Sequence, residues 1–185
     1  RIALIGHNGA GKSTLFLLLS GLQSLWSGEV YLHGQLIRPQ ERVSLRQQVA
    51  LVLQNSNYQL FTPSVEDEIA FGLKNMGLRE AELHERLEEL LTRYNLAELR
   101  HKPPHELSEG QKKWVALVAV LATDPEVLIL DEPTAALDAL YTERVLDLLE
   151  QLHLAGKTII ISTHDMELAS RFADRVLLME AGKLI

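Results

Sequence analysis

Gly6-His7-Asn8-Gly9-Ala10-Gly11-Lys12-Ser13-Thr14 is the stretch that decides the fold of this 185-residue chain. It satisfies the pattern G-x-x-x-x-G-K-[ST] and lies between an apolar run at residues 2–5 and an apolar helix pattern at residues 15–19. In such a setting the glycines let the backbone wrap around an anion, and the N–H groups that open the helix point at it. We therefore predict that this loop binds nucleotide phosphate, with Lys12 supplying positive charge and Ser13 holding a magnesium ion. A glycine-rich turn without a ligand is the alternative, and the strand and helix on either side argue against it.

The composition is that of a globular chain with one well-filled core. Hydrophobic residues make up 46% of the chain and charged residues 23%, which excludes a disordered protein. The formal net charge of -7 argues against a nucleic-acid partner held through phosphate contacts, although it is compatible with a local basic patch. Cysteine is absent, so disulfides, thiol catalysis and cysteine metal sites are excluded, which fits a reducing compartment. The longest apolar runs fall far short of the ~18 residues that a membrane-spanning helix needs, and we expect a soluble or peripheral protein.

Both ends of the chain lead us to expect a fragment. The phosphate loop comes only five residues after the start, whereas the strand before such a loop normally lies in the middle of its sheet. We therefore expect that an N-terminal portion, which would flank this strand, is missing. Residues 182–185 stop within a predicted hairpin return strand. A single domain over residues 1–185 is the default expectation.

The segment after the first helix predicts a hairpin and then a buried strand. Residues 29–32 and 35–37 flank His33-Gly34 as the two arms of the hairpin. Residues 49–53 form an apolar strand that ends at Gln54. Gln54 is either a functional residue at the strand end or an ordinary surface glutamine.

The composition then shifts toward helix. Ser64 is predicted to cap a helix, and the helical stretch that follows includes an amphipathic segment with leucines on one face. Residues from about 64 to 122 therefore look like a helical subdomain inserted into a strand-helix fold. His101 and His105 have the spacing of metal ligands on a helix, but two prolines lie between them and argue against a zinc site.

The segment Leu107-Ser108-Glu109-Gly110-Gln111 leads into the apolar run of residues 114–122. Ser108 is predicted to cap this helix, whose free N–H groups would face any anion in front of it. A plain capped helix without a ligand is the alternative, and the segment taken alone favours that alternative.

Two acidic residues, Asp131 and Glu132, follow the buried strand of residues 127–130. A carboxylate at the mouth of a core strand is costly unless it meets a cation, and in a phosphate-loop protein that cation is magnesium on the phosphates. We therefore predict that Asp131 lies on the magnesium side and that Glu132 accepts a proton from water. The apolar strand of residues 157–161 leads to His164 in the same way. Because ligands of parallel α/β sheets bind at the carboxyl ends of strands, the phosphate loop, the acidic pair and His164 are predicted to converge on one site.

With these motifs in this order, the chain resembles the ATP-binding subunits of ABC transporters over essentially its whole length. The resemblance implies an α/β fold of the P-loop NTPase type, with a mainly parallel sheet core and an inserted α-helical subdomain but without its N-terminal strands. The matching motifs are Walker A at residues 6–14, the Q-loop Gln54, the signature at residues 107–111, Walker B at residues 127–131 with Glu132, the D-loop at residues 136–138 and the switch His164. Within this family, three segments resemble the cobalt and nickel importers of the energy-coupling-factor type. They are the residues around Gln54, the segment 65–72 and Gly110-Gln111-Lys112-Lys113.

The resemblance implies that ATP is hydrolysed in a head-to-tail dimer. Ser108 and Gly110 of one subunit would contact the γ-phosphate held by Lys12 of the other subunit. The same signature also contains Glu109 and Gln111. Asp138 would link the two sites.

Within one subunit, the resemblance assigns the chemistry to a few side chains. Glu132 would orient and deprotonate the attacking water, and His164 would contact the γ-phosphate. Ser13 and Gln54 would coordinate Mg²⁺, supported by Asp131. The implied cofactors are therefore ATP and Mg²⁺.

Some features depart from the family pattern. Glu109 replaces a common glycine, Trp114 stands where related importers carry a basic residue, and Ala139 replaces a frequent proline. The aromatic residue on which the family stacks adenine lies before Walker A, so base selectivity does not follow from this sequence.

The resemblance also implies partners and a location. The partners are transmembrane subunits and a second ATP-binding subunit, which is either a copy of this chain or a paralogue. The chain would be peripheral to the cytoplasmic face of the membrane, and no nucleic acid would be bound. Transport of another substrate such as a vitamin stays open as an alternative. A non-transport ABC ATPase of DNA repair or translation is disfavoured, because no long coiled coil or cysteine-based zinc module separates Lys12 from Ser108. A regulatory module without catalysis is disfavoured by Glu132 and His164.

Overall fold

The computed structural model describes the whole chain, Arg1–Ile185. Short apolar runs with β-branched residues form strands, and longer runs with helical periodicity form helices. The strands are β1 (Ile2–Ile5), β2 (Tyr31–Leu32), β3 (Gln35–Leu36), β4 (Val49–Val52), β5 (Val127–Asp131), β6 (Thr158–Thr163), β7 (Arg175–Glu180) and β8 (Lys183–Leu184). The helices are α1 (Lys12–Leu19), α2 (Arg42–Gln48), α3 (Val65–Asn75), α4 (Glu80–Arg93), α5 (Glu109–Leu121), α6 (Ala139–Leu154) and α7 (Met166–Phe172).

Six of the strands form one sheet, in the order β4-β5-β6-β1-β7-β8. Strand β1 lies between β6 and β7 and is parallel to both, and β5 is parallel to β6. Strand β8 returns antiparallel to β7, as the sequence predicts for the end of the chain. The predicted mainly parallel sheet is therefore confirmed, and β1 delivers the phosphate loop from the interior of the sheet.

The predicted hairpin is present as a separate two-stranded sheet of β2 and β3. Tyr31 pairs with Leu36 and Leu32 with Gln35. His33 and Gly34 have φ angles of 52° and 75°, which a two-residue type I′ turn requires at both central positions.

The chain divides into two compact units. The first unit comprises Arg1–Leu51, Pro125–Pro133 and Leu146–Ile185, and it contains nearly all of the six-stranded sheet. The second unit comprises Val52–Asp124 and Thr134–Val145, which include α3, α4, α5 and the first part of α6. This helical unit takes in more of the chain than the predicted subdomain of residues 64–122.

The core of the first unit holds the phosphate-loop helix α1 against the sheet. Phe16 of α1 is fully buried and packs with Leu4 of β1 and Ile129 of β5. Burying a phenylalanine side chain contributes about 1.5–3 kcal/mol to folding, relative to leaving it exposed. The loop between β1 and α1 is therefore anchored at both of its ends.

In the second unit, α3 packs against α4 and α5. The predicted cap of α3 is confirmed, because Ser64 Oγ accepts a hydrogen bond of 3.1 Å from Asp67 N. The amphipathic prediction for α4 is also confirmed, since Leu87, Leu90 and Leu91 are buried.

Arg100 ties two of these helices together electrostatically. Its Nε lies 2.9 Å from Glu66 Oε2 on α3, and its Nη2 lies 2.8 Å from Glu88 Oε1 on α4. The hydrogen bond from Arg100 lowers the pKa of the Glu66 carboxyl, and the two carboxylates raise the pKa of Arg100. The guanidinium thus bridges elements that are separated in sequence.

We predict that Arg100→Met lowers the free energy of unfolding by about 1 kcal/mol, because both carboxylates lose a charged donor. Since the folded-state pKa of Glu66 is depressed, this contribution is present above the ordinary carboxyl pKa. It is lost as the pH falls through the folded-state value. Urea unfolding of both proteins at neutral pH and at successively lower pH measures the difference.

The matched control is Arg86→Met, which removes a pair of 2.5 Å with Glu89 within α4 itself. Local pairs at this spacing contribute only about 0.2–0.5 kcal/mol. Equal losses for Arg86→Met and Arg100→Met would contradict a bridging role for Arg100.

Candidate functional site

The phosphate loop holds Lys12 close to its own backbone. Lys12 is 7% exposed, and its Nζ donates to Gly6 O at 2.7 Å and to His7 O at 3.2 Å. Both partners are neutral carbonyl groups, whereas a phosphate oxygen carries charge and would form an ion pair with the ammonium group. The ammonium group is therefore placed where a phosphate oxygen could replace these carbonyl oxygens.

The loop also packs tightly on the hairpin formed by β7 and β8. A Cβ atom at Gly6 would lie 2.3 Å from Met179 O, and the φ of Gly6 is 156°. Gly182 N donates a hydrogen bond of 2.8 Å to Ala10 O. Only glycine fits at position 6, so the hairpin fixes the path of the loop from behind.

Asp131 connects the phosphate loop to the next strands of the sheet. Ser13 Oγ donates to Asp131 Oδ2 at 2.5 Å, and the buried Ser162 Oγ donates to Asp131 Oδ1. Ser162 Oγ also accepts a hydrogen bond of 2.9 Å from Glu132 N. Two serines therefore orient a carboxylate that is itself only 7% exposed.

Ser162 is a site residue that the sequence reasoning missed. It is fully buried in β6, where the parallel register places it opposite Asp131 of β5. A polar residue near the end of an apolar strand was the available signal. Its hydrogen-bond partner, Asp131, follows only from the register of the sheet.

Glu132 and His164 form a pair at the ends of two neighbouring strands. His164 Nδ1 lies 3.0 Å from Glu132 Oε1 and 2.9 Å from Oε2. The Glu132 side chain is 8% exposed, whereas that of His164 is 70% exposed. Because a carboxylate only accepts hydrogen bonds, Nδ1 of the imidazole carries the proton in this pair. A shielded carboxylate is thus held by a ring that faces solvent.

A cavity of about 410 Å³ opens beside His164. Gly6, His7 and Asn8 of the phosphate loop line it together with His164. The hydrogen bonds Ser13–Asp131 and His164–Glu132 bring the ends of β1, β5 and β6 together, while the site predicted there and the chemical roles of its residues remain predictions.

The other predicted site residues lie in the second unit. The predicted cap of α5 is confirmed by a hydrogen bond of 3.2 Å from Gln111 N to Ser108 Oγ, and Ser108 itself is exposed. Asp138 Oδ1 accepts from Tyr141 N at 2.8 Å. A cavity of about 490 Å³ is lined by Gln54 and Glu109 together with residues 135–137 of the D-loop region. The second unit therefore brings the Q-loop, the signature and the D-loop together.

A phosphate loop that joins an interior parallel strand to a helix, with two carboxylates at the end of another strand of the same sheet, defines a P-loop nucleotide-binding protein. Residues 1–135 match the family model described as ABC transporter, and the chain belongs to this family. The predicted family is therefore confirmed. None of the helices has the length and apolarity needed to cross a membrane.

Two curated relatives show where in the family the chain falls. The energy-coupling factor transporter ATP-binding protein EcfA of Methanothermobacter thermautotrophicus is 43% identical over 187 residues, covering 100% of this chain and 60% of EcfA. The cobalt import ATP-binding protein CbiO of Rhodobacter capsulatus is 46% identical over 186 residues, covering 100% of this chain and 66% of CbiO. The chain thus spans less than two thirds of the length of either relative.

Two solved structures have the same fold. CbiO1 from Clostridium perfringens, described as part of the ABC transporter complex cbiONQ, is 40% identical with a TM-score of 0.87, over 100% of this chain and 74% of CbiO1. An ATP-binding cassette solved as a dimer in a post-hydrolysis state with ADP and Pi is 27% identical with a TM-score of 0.86, over 99% of this chain and 82% of that chain. The predicted P-loop ABC ATPase fold is confirmed.

We predict that Ser162→Ala lowers the free energy of unfolding by about 1–3 kcal/mol, because Asp131 loses a donor and Glu132 N loses its acceptor in a buried place. Thermal and urea unfolding followed by circular dichroism measure the loss.

The matched control is Ser20→Ala. Ser20 is 1% exposed and makes one hydrogen bond, of 3.2 Å, to Leu17 O. We expect a smaller loss for this variant, and equal losses would contradict the double role of Ser162.

Proposed function

We propose that this chain is the ATP-hydrolysing subunit of an ABC importer, and that it works in a head-to-tail dimer to drive a metal ion, cobalt or nickel, through membrane partners. The observation that carries the enzymatic part of the proposal is the Glu132–His164 pair beside the cavity of the phosphate loop. The similarity to energy-coupling-factor and cobalt-import proteins supports the transport part.

The phosphate loop binds the triphosphate. On binding, Lys12 Nζ exchanges the carbonyl oxygens of Gly6 and His7 for phosphate oxygens, which are stronger acceptors because they are charged. The N–H groups at the start of α1 add a favourable dipole. Residues 6–14 therefore supply most of the affinity for the phosphates.

The side chains beside the loop fit Mg²⁺. Ser13 Oγ and Asp131 Oδ2 are oxygen atoms 2.5 Å apart, and oxygen is the ligand atom that magnesium prefers. When bound, the ion would neutralise charge on the phosphates. We propose Ser13 as a ligand and Asp131 as its support, and we retain Gln54 as a further ligand predicted from the sequence.

Glu132 acts as the general base. Its carboxylate accepts a proton from the attacking water, and the Nδ1–H of His164 fixes the orientation of the carboxylate while the exposed ring faces the γ-phosphate. Positioned bases of this kind contribute about 10²–10⁴ in rate.

The signature of a second ATP-binding subunit completes each site. Ser108 and Gly110 stand at the start of α5, where the backbone N–H groups of a helix attract phosphate. The second subunit is a copy of this chain or a paralogue, and Asp138 links the two sites. The dimeric cassette with ADP and Pi supports this arrangement.

The membrane partners select the substrate, and the chain is peripheral at the cytoplasmic face. The description of CbiO1 as part of a transporter complex supports such partners. Import of a vitamin or another solute is the alternative, because EcfA is described only as an energy-coupling-factor protein. Co-purification with membrane subunits and uptake assays with cobalt and nickel distinguish these substrates.

We predict that Glu132→Gln keeps ATP binding and lowers turnover by about 10²–10⁴, because an amide cannot accept the proton from water. Fluorescent-nucleotide titration and phosphate release measure the two quantities. The control is Glu126→Gln, an exposed carboxylate that pairs with His33, and it should leave both unchanged. Turnover of Glu132→Gln close to that of the unaltered chain would exclude Glu132 as the base.

We predict that two inactive variants restore each other if the site is shared. A mixture of Lys12→Ala and Ser108→Ala, combined before ATP is added, forms mixed dimers that contain one intact site. If the sites act independently, about a quarter of the normal turnover returns at equal ratios. A mixture of Lys12→Ala and Glu132→Gln is the control, since both of its sites lack a residue. No recovery in the first mixture would contradict action across the dimer.

A further inference from the structure

We infer that Tyr141 is a positioning residue that holds the start of the signature helix α5 in register with the D-loop. The inference rests on the proposed function, because it concerns how Ser108 and Gly110 are presented to a nucleotide on another subunit. The Tyr141 ring lies against Gly110, and its backbone lies against Asp138.

The contact with Gly110 explains why this position has no side chain. A Cβ at Gly110 would lie 2.7 Å from Tyr141 Cδ2, 2.9 Å from Cγ and 3.1 Å from Cε2. Gly110 is not among the residues with positive φ, so its backbone conformation would accept any residue. The requirement for glycine at position 110 therefore comes from the tyrosine ring and not from the turn of the chain.

Three further groups extend from the Tyr141 ring into the core of the second unit. The guanidinium of Arg144 lies 5.9 Å from the centroid of the Tyr141 ring and 4.8 Å from that of Trp114. Trp114 is 5% exposed, and its Nε1 donates to Tyr94 O at 3.0 Å. The guanidinium interacts with both rings, so the position of Tyr141 is tied to a buried anchor.

The spacing of these residues along α5 and α6 places them along one contact between the two helices. Gly110 and Trp114 are four residues apart on α5, and Tyr141 and Arg144 are three residues apart on α6. Such positions lie on the same face of a helix. The two pairs therefore face each other, and the first turn of α6 is packed against the first turns of α5.

The backbone of Tyr141 completes the link. Tyr141 N donates to Asp138 Oδ1 at 2.8 Å, which caps the start of α6. Asp138 and Gly110 are thus held by one residue, and a shift of α6 moves both of them. An error of about 1 Å in the placement of a reacting group lowers rates by as much as 10².

Turnover tests the inference in the full chain. We expect Tyr141→Ala to lower turnover about 10–100-fold while nucleotide binding, measured in the Glu132→Gln background, stays within twofold. Tyr141→Phe should stay within twofold in both measurements, because the hydroxyl is not part of the contact. The control is Leu140→Ala, next to Tyr141 and 71% exposed, which should also stay within twofold.

Thermal unfolding tests the contact itself without nucleotide. In the unaltered chain, Gly110→Ala should lower the melting temperature by about 2–4 °C, because Cβ and the ring collide. In the Tyr141→Ala background the same change should raise it, because alanine favours helix over glycine. A higher melting temperature for Gly110→Ala in both backgrounds would contradict the contact between Gly110 and the Tyr141 ring.

The outcomes separate this inference from the proposed function. If Ser108→Ala lowers turnover and Tyr141→Ala does not, the inference is wrong and the proposed function stands. The inference is also wrong if Tyr141→Phe is as impaired as Tyr141→Ala. If the unaltered chain does not hydrolyse ATP and no mixture of variants does, the proposed function fails first.

Discussion

The orientation of the Asp131 carboxylate is the constraint on which the phosphate side of the site depends. A carboxylate that is 7% exposed must be hydrogen bonded, and its donors come from α1 and from β6. Ser13 can reach it only if α1 starts directly above β5, and Ser162 only if β6 pairs with β5 in the observed register. A slip of one residue in that register would turn Ser162 to the other face of the sheet. The hydrogen bonds of one side chain therefore depend on both the helix placement and the strand register.

Features that depend on neighbours in sequence could be predicted. The phosphate loop, the caps of α3 and α5 and the acids after β5 each follow from a few consecutive residues. The end of a strand was less predictable where pairing with a strand distant in sequence extends it. Strand β6 continues to Thr163, beyond the predicted end at residue 161, because Thr163 pairs with Ile5 of β1.

Contacts between residues far apart in sequence could not be predicted. The space behind Gly6 is filled by Met179, and the space beside Gly110 by Tyr141. Each glycine fits a motif in the sequence, but the motif does not say which part of the chain approaches it. Glycines whose φ is ordinary, such as Gly110, are the least informative, because only the packed structure gives the reason for the missing side chain.

The way Glu132 leaves its strand explains how two consecutive acids serve one site. Side chains of adjacent strand residues point to opposite faces, so Asp131 and Glu132 in a continuing strand could not both face the phosphate loop. Glu132 instead has a φ of 48°, which is unfavourable for a residue with a side chain. The hydrogen bond from Glu132 N to Ser162 Oγ and the contact of its carboxylate with His164 offset that strain. The left-handed turn therefore places a second carboxylate beside the first, and the buried serine that orients Asp131 also holds this turn.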